Sequence, residues 1–235
     1  MKKMDFEKYV KPEGRGLPIF LLLDVSGSMA GQKIGTVNVA LKEMIESFRK
    51  IENPKGVVEL CLITFGGSRA EVIRPLSRIS LDDAYTLSAS GNTPMGMSFD
   101  QVVSMIEDYN VVSSRSYAPT IVLISDGNPT DYNADGKTVQ EIMQWDSLIK
   151  VHTSPRTSKA MRLAMGIGDD LNINVLKAFI GDDTRPVIRA RDNATISKFF
   201  EWVTMSVSVR SVSENPNKPV TANTNDIFDD DEVEF

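Results

Sequence analysis

Hydrophobic positions along this chain fall into two patterns that alternate. One is a short unbroken apolar run; the other is a longer stretch with apolar residues every three or four positions. The run Leu17-Pro18-Ile19-Phe20-Leu21-Leu22-Leu23 stops at Asp24, as a strand buried on both faces of a parallel sheet does. Residues 32–50 then place Ile34, Val37, Leu41, Met44, Ile45 and Phe48 on one stripe, which predicts an amphipathic helix. A second buried strand is predicted over 57–65, stopped by Gly66-Gly67. Residues 70–75 end in proline and suit an edge strand or hairpin partner. The polar segment 77–94 closes with Ser90-Gly91-Asn92-Thr93-Pro94, and a helix follows with Met95, Phe99, Val102, Val103 and Ile106 inward. Residues 120–124 form another short apolar run, leading into Ser125-Asp126-Gly127. A helix over 138–150, a strand over 160–167, helices over 172–180 and 194–209, and a weak strand over 186–189 complete the pattern. Alternating strands and helices of these lengths predict an α/β fold. Its architecture is three-layered and doubly wound, a mostly parallel central sheet with helices on both faces. Nothing repeats at a fixed period, so a solenoid is excluded.

At 235 residues, 41% hydrophobic and 25% charged, the chain is an ordinary globular sequence large enough for a substantial core. The single cysteine, Cys61, excludes a disulfide framework, and the single histidine, His152, excludes a multi-histidine metal site. No apolar run reaches membrane-spanning length. The first twenty residues lack the apolar core of a secretion signal, so no membrane association and a cytoplasmic location are expected. Charge divides the chain further. Its net charge is −6, and residues 214–235 hold seven acids against one base, which leaves 25 of each sign in residues 1–213. A neutral body gives no reason to expect direct nucleic-acid binding. The apolar periodicity also stops near residue 213. The expected organisation is an N-terminal extension over 1–15, one domain over 16–212, and a linker with a disordered acidic tail over 213–235.

Three polar clusters sit at the ends of predicted strands or the starts of predicted helices: Asp24-Val25-Ser26-Gly27-Ser28, Thr93 in its turn, and Asp126. Loops at the carboxyl ends of neighbouring parallel strands converge on one crevice. Two carboxylates and three hydroxyls there form a set of hard oxygen donors, which selects Mg²⁺, with Mn²⁺ or Ca²⁺ as alternatives, over zinc or copper. An extended Asp-x-Ser-x-Ser stretch would turn all three side chains to one side, with Gly27 allowing the sharp turn. The two negative charges match one divalent cation, and a coordination position left over would receive a carboxylate from outside.

The ordered set Asp24, Ser26, Ser28, then Thr93, then Asp126 resembles a von Willebrand factor A domain with its metal-ion-dependent adhesion site. The resemblance covers roughly residues 16–209. It implies that Ser26, Ser28 and Thr93 bind the metal, usually Mg²⁺, by hydroxyl, and that Asp24 and Asp126 act wholly or partly through water. The strings Asp24-Val-Ser-Gly-Ser-Met and Ser125-Asp-Gly-Asn-Pro-Thr-Asp131 are most similar to the intracellular bacterial branch of the TerY, tellurium-resistance type. That kinship implies a stress-response or phage-related setting. The function expected is a non-enzymatic, metal-dependent interaction module that receives an Asp or Glu of a partner protein. A Mg²⁺-dependent phosphohydrolase of the haloacid dehalogenase type is the enzymatic alternative, but Ser26 stands where that chemistry needs a second aspartate. A third possibility is a scaffold that docks partners through its tail.

Other conspicuous residues have plainer roles. Asp131 is expected to cap the following loop, and Asp169-Asp170 and Asp182-Asp183 to cap a helix or close a loop. Cys61, Met161 and Met165 read as core, and His152 as structural or solvated. In the tail, Phe228 and Phe235 exceed what a solvating segment needs. Phe-Asp-Asp-Asp-Glu-Val-Glu-Phe is similar to the acidic tip of bacterial single-stranded DNA-binding proteins, with Glu234 in place of the usual proline. It is expected to be either a peptide ligand for the basic pocket of a second partner, an autoinhibitor at the metal, or a solubilising segment.

Overall fold

The computed structural model describes residues 14–50, 56–80, 84–169, 171–215, 217 and 221–235. Most of the expected N-terminal extension lies outside these residues. Seven strands form one sheet in the order β3-β2-β1-β4-β5-β6-β7. They are β1 (Arg15–Asp24), β2 (Gly56–Gly66), β3 (Arg69–Arg78), β4 (Thr120–Ser125), β5 (Met161–Ile167), β6 (Val187–Ala190) and β7 (Val233–Glu234). Strands β2, β1, β4, β5 and β6 run parallel, and the two edges, β3 and β7, are antiparallel. The helices are α1 (Gln32–Arg49), α2 (Met95–Glu107), α3 (Val139–Ile142), α4 (Asp146–Thr153), α5 (Ile173–Ile180) and α6 (Asn193–Val212).

Alternation along β1 divides the core in two. Leu17, Ile19, Leu21 and Leu23 face one side with the apolar stripes of α1 and α6. Phe20 and Leu22 face the other, beneath α2, α3, α4 and α5. Both faces of the sheet are therefore covered, which is why the central strands read as unbroken apolar runs. Cys61, Met161 and Met165 are fully buried within these layers, and burial pushes the Cys61 thiol up to about 12.

Two expectations need correction. The helix expected over 138–150 is two short helices. Thr138 and Glu141 close a capping box at the start of α3, and the chain turns before Trp145 takes the extended conformation that caps α4. The Trp145 ring stacks on Tyr132 at 4.6 Å and meets the edge of Phe99 at 5.5 Å. The second correction is the tail. Residues 221–235 are not a free acidic segment: β7 pairs with β6, and Phe228 is buried against Trp202, with ring centroids 5.9 Å apart. These residues are ordered by joining the core of the domain. No helix among the described residues is long and apolar enough to cross a membrane.

Candidate metal centre

The chain leaves β1 toward β2 and β3, then returns through α2 to build β4, β5 and β6 on the other side. The carboxyl ends of β1 and β4 thus flank the point where the winding reverses, the usual crevice for a ligand in an open parallel sheet. Their register pairs Leu23 with Ile124, so Asp24 at the end of β1 lies beside the Ser125-Asp126 step that ends β4.

Both carboxylate oxygens of Asp24 are held. Oδ1 accepts from the Ser26 backbone N–H at 2.8 Å, and Oδ2 accepts from the Ser125 hydroxyl at 2.6 Å. Ser125 Oγ in turn accepts from the Gly127 N–H at 3.0 Å. Ser125 was quoted in the motif without a role of its own, yet it is the residue that orients Asp24. The Ser26 and Ser28 hydroxyls lie 3.0 Å apart. This closeness does not come from strand alternation as expected. Ser26 is extended, but residues 27–29 form a 3-10 turn that carries Ser28 back toward Ser26. Gly27 has no left-handed backbone; it is Gly91 that does, with φ near 72°.

Backbone bonds lace the three loops together. The Gly27 N–H donates to the Gly91 carbonyl at 2.9 Å, the Ser90 N–H to the Val25 carbonyl at 2.8 Å, and the Val25 N–H to the Phe65 carbonyl at 2.9 Å. A Cβ on Gly91 would stand 2.6 Å from the Gly67 Cα, so this approach requires glycine in space as well as in φ. Thr93 is buried, and its loop is tied to the one after β4. Its N–H donates to the Thr130 hydroxyl at 3.1 Å, and the Thr130 N–H donates to the Thr93 carbonyl at 2.9 Å. Sequence reasoning assigned Thr130 no part; its place in the Asn-Pro-Thr-Asp string was the available signal. Asp131 Oδ2 accepts from the Met97 N–H at 3.1 Å, so it caps α2.

The electrostatics of the crevice are unbalanced. Asp24 is pushed up to about 6, chiefly by burial; hydrogen bonds from Ser125 and Ser26 oppose this and the Asp126 charge adds to it. Asp126 is 8% exposed, and its Oδ1 is a buried atom with no hydrogen-bond partner among the described residues. No group of three or more His, Cys, Asp or Glu suited to a metal occurs among those residues. A cation here would rest on two carboxylates and the hydroxyls of Ser26, Ser28 and Thr93. The other candidates lie in structural roles. His152 Nε2 bonds the Ala178 carbonyl at 2.8 Å, with burial holding its pKa down. Asp182 accepts from the Thr184 N–H and hydroxyl and pairs with Arg185 at 3.3 Å. Asp169 lies 3.8 Å from Arg191, and Asp170 falls outside the described residues.

Residues 19–202 match the profile of the family described as von Willebrand factor type A domain. Among solved structures, the chain is similar to a von Willebrand factor type A protein from Catenulispora acidiphila, with a TM-score of 0.62 and 18% identity over 82% of this chain and 42% of that one. It is also similar to proximal thread matrix protein 1 from the mussel byssus, solved with a zinc-occupied MIDAS motif, at TM-score 0.55 and 17% identity over 81% and 45% of the two chains. A third is the vWF domain of the type V pili tip protein Mfa5 from Porphyromonas gingivalis, at TM-score 0.57 and 12% identity over 83% and 96%. No match is found among curated protein sequences. The chain spans less than half the length of the first two of these structures.

Proposed function

Because the chain belongs to the von Willebrand factor type A domain family, we propose that the β1–β4 crevice holds one divalent cation and uses it to dock another protein. The observation that carries this reading is the buried, partnerless Oδ1 of Asp126 beside the buried carboxylate of Asp24. Two such charges without compensation are costly, and one divalent cation neutralises both. Asp24, Ser26, Ser28, Thr93 and Asp126 would hold it. Their donor set is all oxygen, which favours Mg²⁺, with Mn²⁺ or Ca²⁺ as close alternatives. The zinc-occupied site of the mussel protein supports divalent occupancy without selecting the metal for this chain.

Within this proposal the chain's own residues do three things. Ser125 and the Ser26 N–H fix the Asp24 carboxylate, and Thr130 fixes the Thr93 loop. Ser28, exposed at the mouth of the crevice, leaves the site open on the side from which a partner's Asp or Glu would approach. The cation supplies the positive charge that draws that carboxylate. We read the module as an interaction domain rather than an enzyme. The tellurium-resistance likeness of its motifs supports a bacterial stress-response setting in the cytoplasm, although the structures compared do not single out that branch.

The test is calorimetric titration of metal-free chain with MgCl₂, alongside affinity capture from source lysate in Mg²⁺ or EDTA. One-to-one binding that disappears in Asp126→Ala, with a protein captured only by the wild type in Mg²⁺, is the expected result. Capture that is equal in Mg²⁺, in EDTA and by Asp126→Ala would refute metal-dependent docking.

A further inference from the structure

The tail retraces α6 from its end to its beginning. The Ala222 N–H donates to Ser206 Oγ at 3.0 Å, and the Trp202 indole N–H donates to the Ala222 carbonyl at 2.8 Å. Phe228 then seats against Trp202. Further along, Lys198 lies 3.5 Å from Asp229 and 3.1 Å from Glu232, and Arg191 lies 3.1 Å from Asp231. The Thr195 hydroxyl donates to Glu232. The tail finishes along the edge of β6, with Val187 opposite Glu234 and Ile188 opposite Val233. Arg189 lies 3.8 Å from Glu234, and Lys177 Nζ donates to the Phe235 carbonyl.

This surface has three parts: an open strand edge, an aromatic socket at Trp202, and a rim of Lys177, Arg189, Arg191 and Lys198. Together they match an extended acidic segment that carries a phenylalanine, the strand-addition mode of peptide recognition. The seated segment is held chiefly by side chains. Its ladder is two residue pairs. Its outer ion pairs are exposed, at 49% and 73% for Arg191 and Asp231, and contribute little, whereas Lys198–Glu232 is more enclosed, at 34% and 14%. It also leaves a cavity of about 160 Å³ bounded by Leu163, Pro186, Trp202 and Thr224. Ordering fifteen residues costs conformational entropy that these contacts must offset. Most of them are side-chain contacts concentrated at Ala222, Phe228 and Glu232, so loss of those few releases the segment.

We propose that the β6 edge and the N-terminal half of α6 form a docking groove for an acidic, phenylalanine-bearing strand. Residues 221–235 fill it in cis, and the same segment of a second copy fills it in trans when the cis segment is released. Each chain carries both complementary halves, which is what selects a second copy as the occupant. A short tether gives the cis segment an effective concentration of roughly millimolar, so the wild type is a monomer at micromolar concentration. The inference is independent of the cation proposal, and its test contains no metal.

The experiment uses two full-length variants. Phe228→Asp with Glu232→Lys spoils the tail and keeps the groove; Arg191→Glu with Lys198→Glu spoils the groove and keeps the tail. Circular dichroism first establishes that both retain the native fold. In sedimentation equilibrium at about 100 μM, within the range set by the tether, each alone is expected to be a monomer of 26.0 kDa. Their equimolar mixture is expected to contain a one-to-one dimer that dissociates in 1 M NaCl. A fluorescein-labelled peptide of residues 221–235 is expected to bind the tail-spoiled chain at least ~10-fold more tightly than the wild type, whose groove is filled. It should bind the groove-spoiled chain no better than a scrambled peptide. A mixture that stays monomeric, or a peptide that does not distinguish the three chains, overturns the proposal.

Discussion

At the β1–β4 crevice, two carboxylates are buried near each other, and one carries an oxygen with no partner among the described residues. Along β6 and α6, acids and bases are paired; the outer pairs are open to water and Lys198–Glu232 is more enclosed. The first region is laced by backbone hydrogen bonds and electrostatically incomplete; the second is mostly paired, with Arg189 Nε the buried exception among the described residues, and is held chiefly by side chains. The contrast separates two uses of charge. Backbone hydrogen bonds among Val25, Gly27, Phe65, Ser90 and Gly91 hold the crevice in place whatever its charge does. The tail has only the short β6–β7 ladder of this kind, so its position rests on the Ala222 hydrogen bonds, the Phe228 contact and its ion pairs.

The sharpest way to break the comparison is to remove the incomplete charge. Asp126→Ala deletes one carboxylate while leaving the Asp24 hydrogen bonds to Ser26 and Ser125 in place. Mg²⁺ affinity measured by calorimetry is expected to fall by about 100-fold or more, equivalent to roughly 2.7 kcal/mol. Tail position, read from Trp202 fluorescence in a Trp145→Phe background, is expected not to change. A tail that moved with this substitution would mean the two regions are coupled.

A second change leaves every oxygen donor intact and disturbs only the lacing. In Gly91→Ala the new Cβ meets the Gly67 Cα at 2.6 Å on a backbone at φ near 72°. A cost of about 2 kcal/mol in urea unfolding is expected, together with weaker Mg²⁺ binding. Unchanged metal affinity would mean that the loop tolerates displacement and that the crevice is not held in the way described.

The two regions also differ in how much the sequence revealed. Each motif residue lies at a strand end because central parallel strands must be apolar throughout, so the first polar residue after each run marks the crevice. Asp24 and the Ser125-Asp126 step stood out for that reason, and Thr93 by its turn before a predicted helix. The individual roles of Ser125 and Thr130 were not legible, because they are to accept and donate one bond each across loops far apart in sequence, and a lone hydroxyl has no pattern. The path of the Asp-x-Ser-x-Ser loop was misjudged: alternation describes a strand, and the chain had already turned into a 3-10 helix. The tail was illegible for a different reason. Composition reports that a segment cannot fold alone, but it cannot report that a neighbouring edge and an aromatic socket will receive it. Phe228 and Phe235 were the residues that set the tail apart from a solvating segment, and Phe228 is the one buried. The split between α3 and α4 was hidden likewise, since a helical stripe runs through 138–150 and only the packing of Trp145 interrupts it.

Acid reaches the crevice first, at Asp24, whose carboxyl is pushed up to about 6, and the tail only at lower pH. Burial would raise the Glu232 carboxyl, but the Thr195 hydroxyl, the Asp229 N–H and Lys198 outweigh it and hold the group below its ordinary value of 4.5. Asp192 is likewise held low, first by the Thr195 N–H and then by its hydroxyl. A carboxylate with a depressed folded-state pKa contributes stability above its unfolded value and loses it as pH falls through the folded one. The tail is therefore expected to stay docked at neutral pH and to loosen only as pH falls below the ordinary glutamate value of 4.5, seen as a red shift of Trp202 emission. Glu232→Gln is expected to flatten this transition; an unaltered transition would place the acid response elsewhere.

The smallest expected effect is also the most discriminating for the tail. Arg191 contacts Asp231 at 3.1 Å and Asp169 at 3.8 Å, yet it is 49% exposed. An exposed pair contributes about 0.2–1 kcal/mol, and screening at high salt removes most of it. Arg191→Ala is expected to loosen the tail by a few tenths of a kcal/mol at 0.05 M NaCl and by nothing measurable at 1 M. If the effect persisted at 1 M, the arginine would be acting by packing its stem against the tail rather than by charge. The β6 rim would then be an apolar clamp, and an acidic strand would have no advantage over a neutral one in filling it.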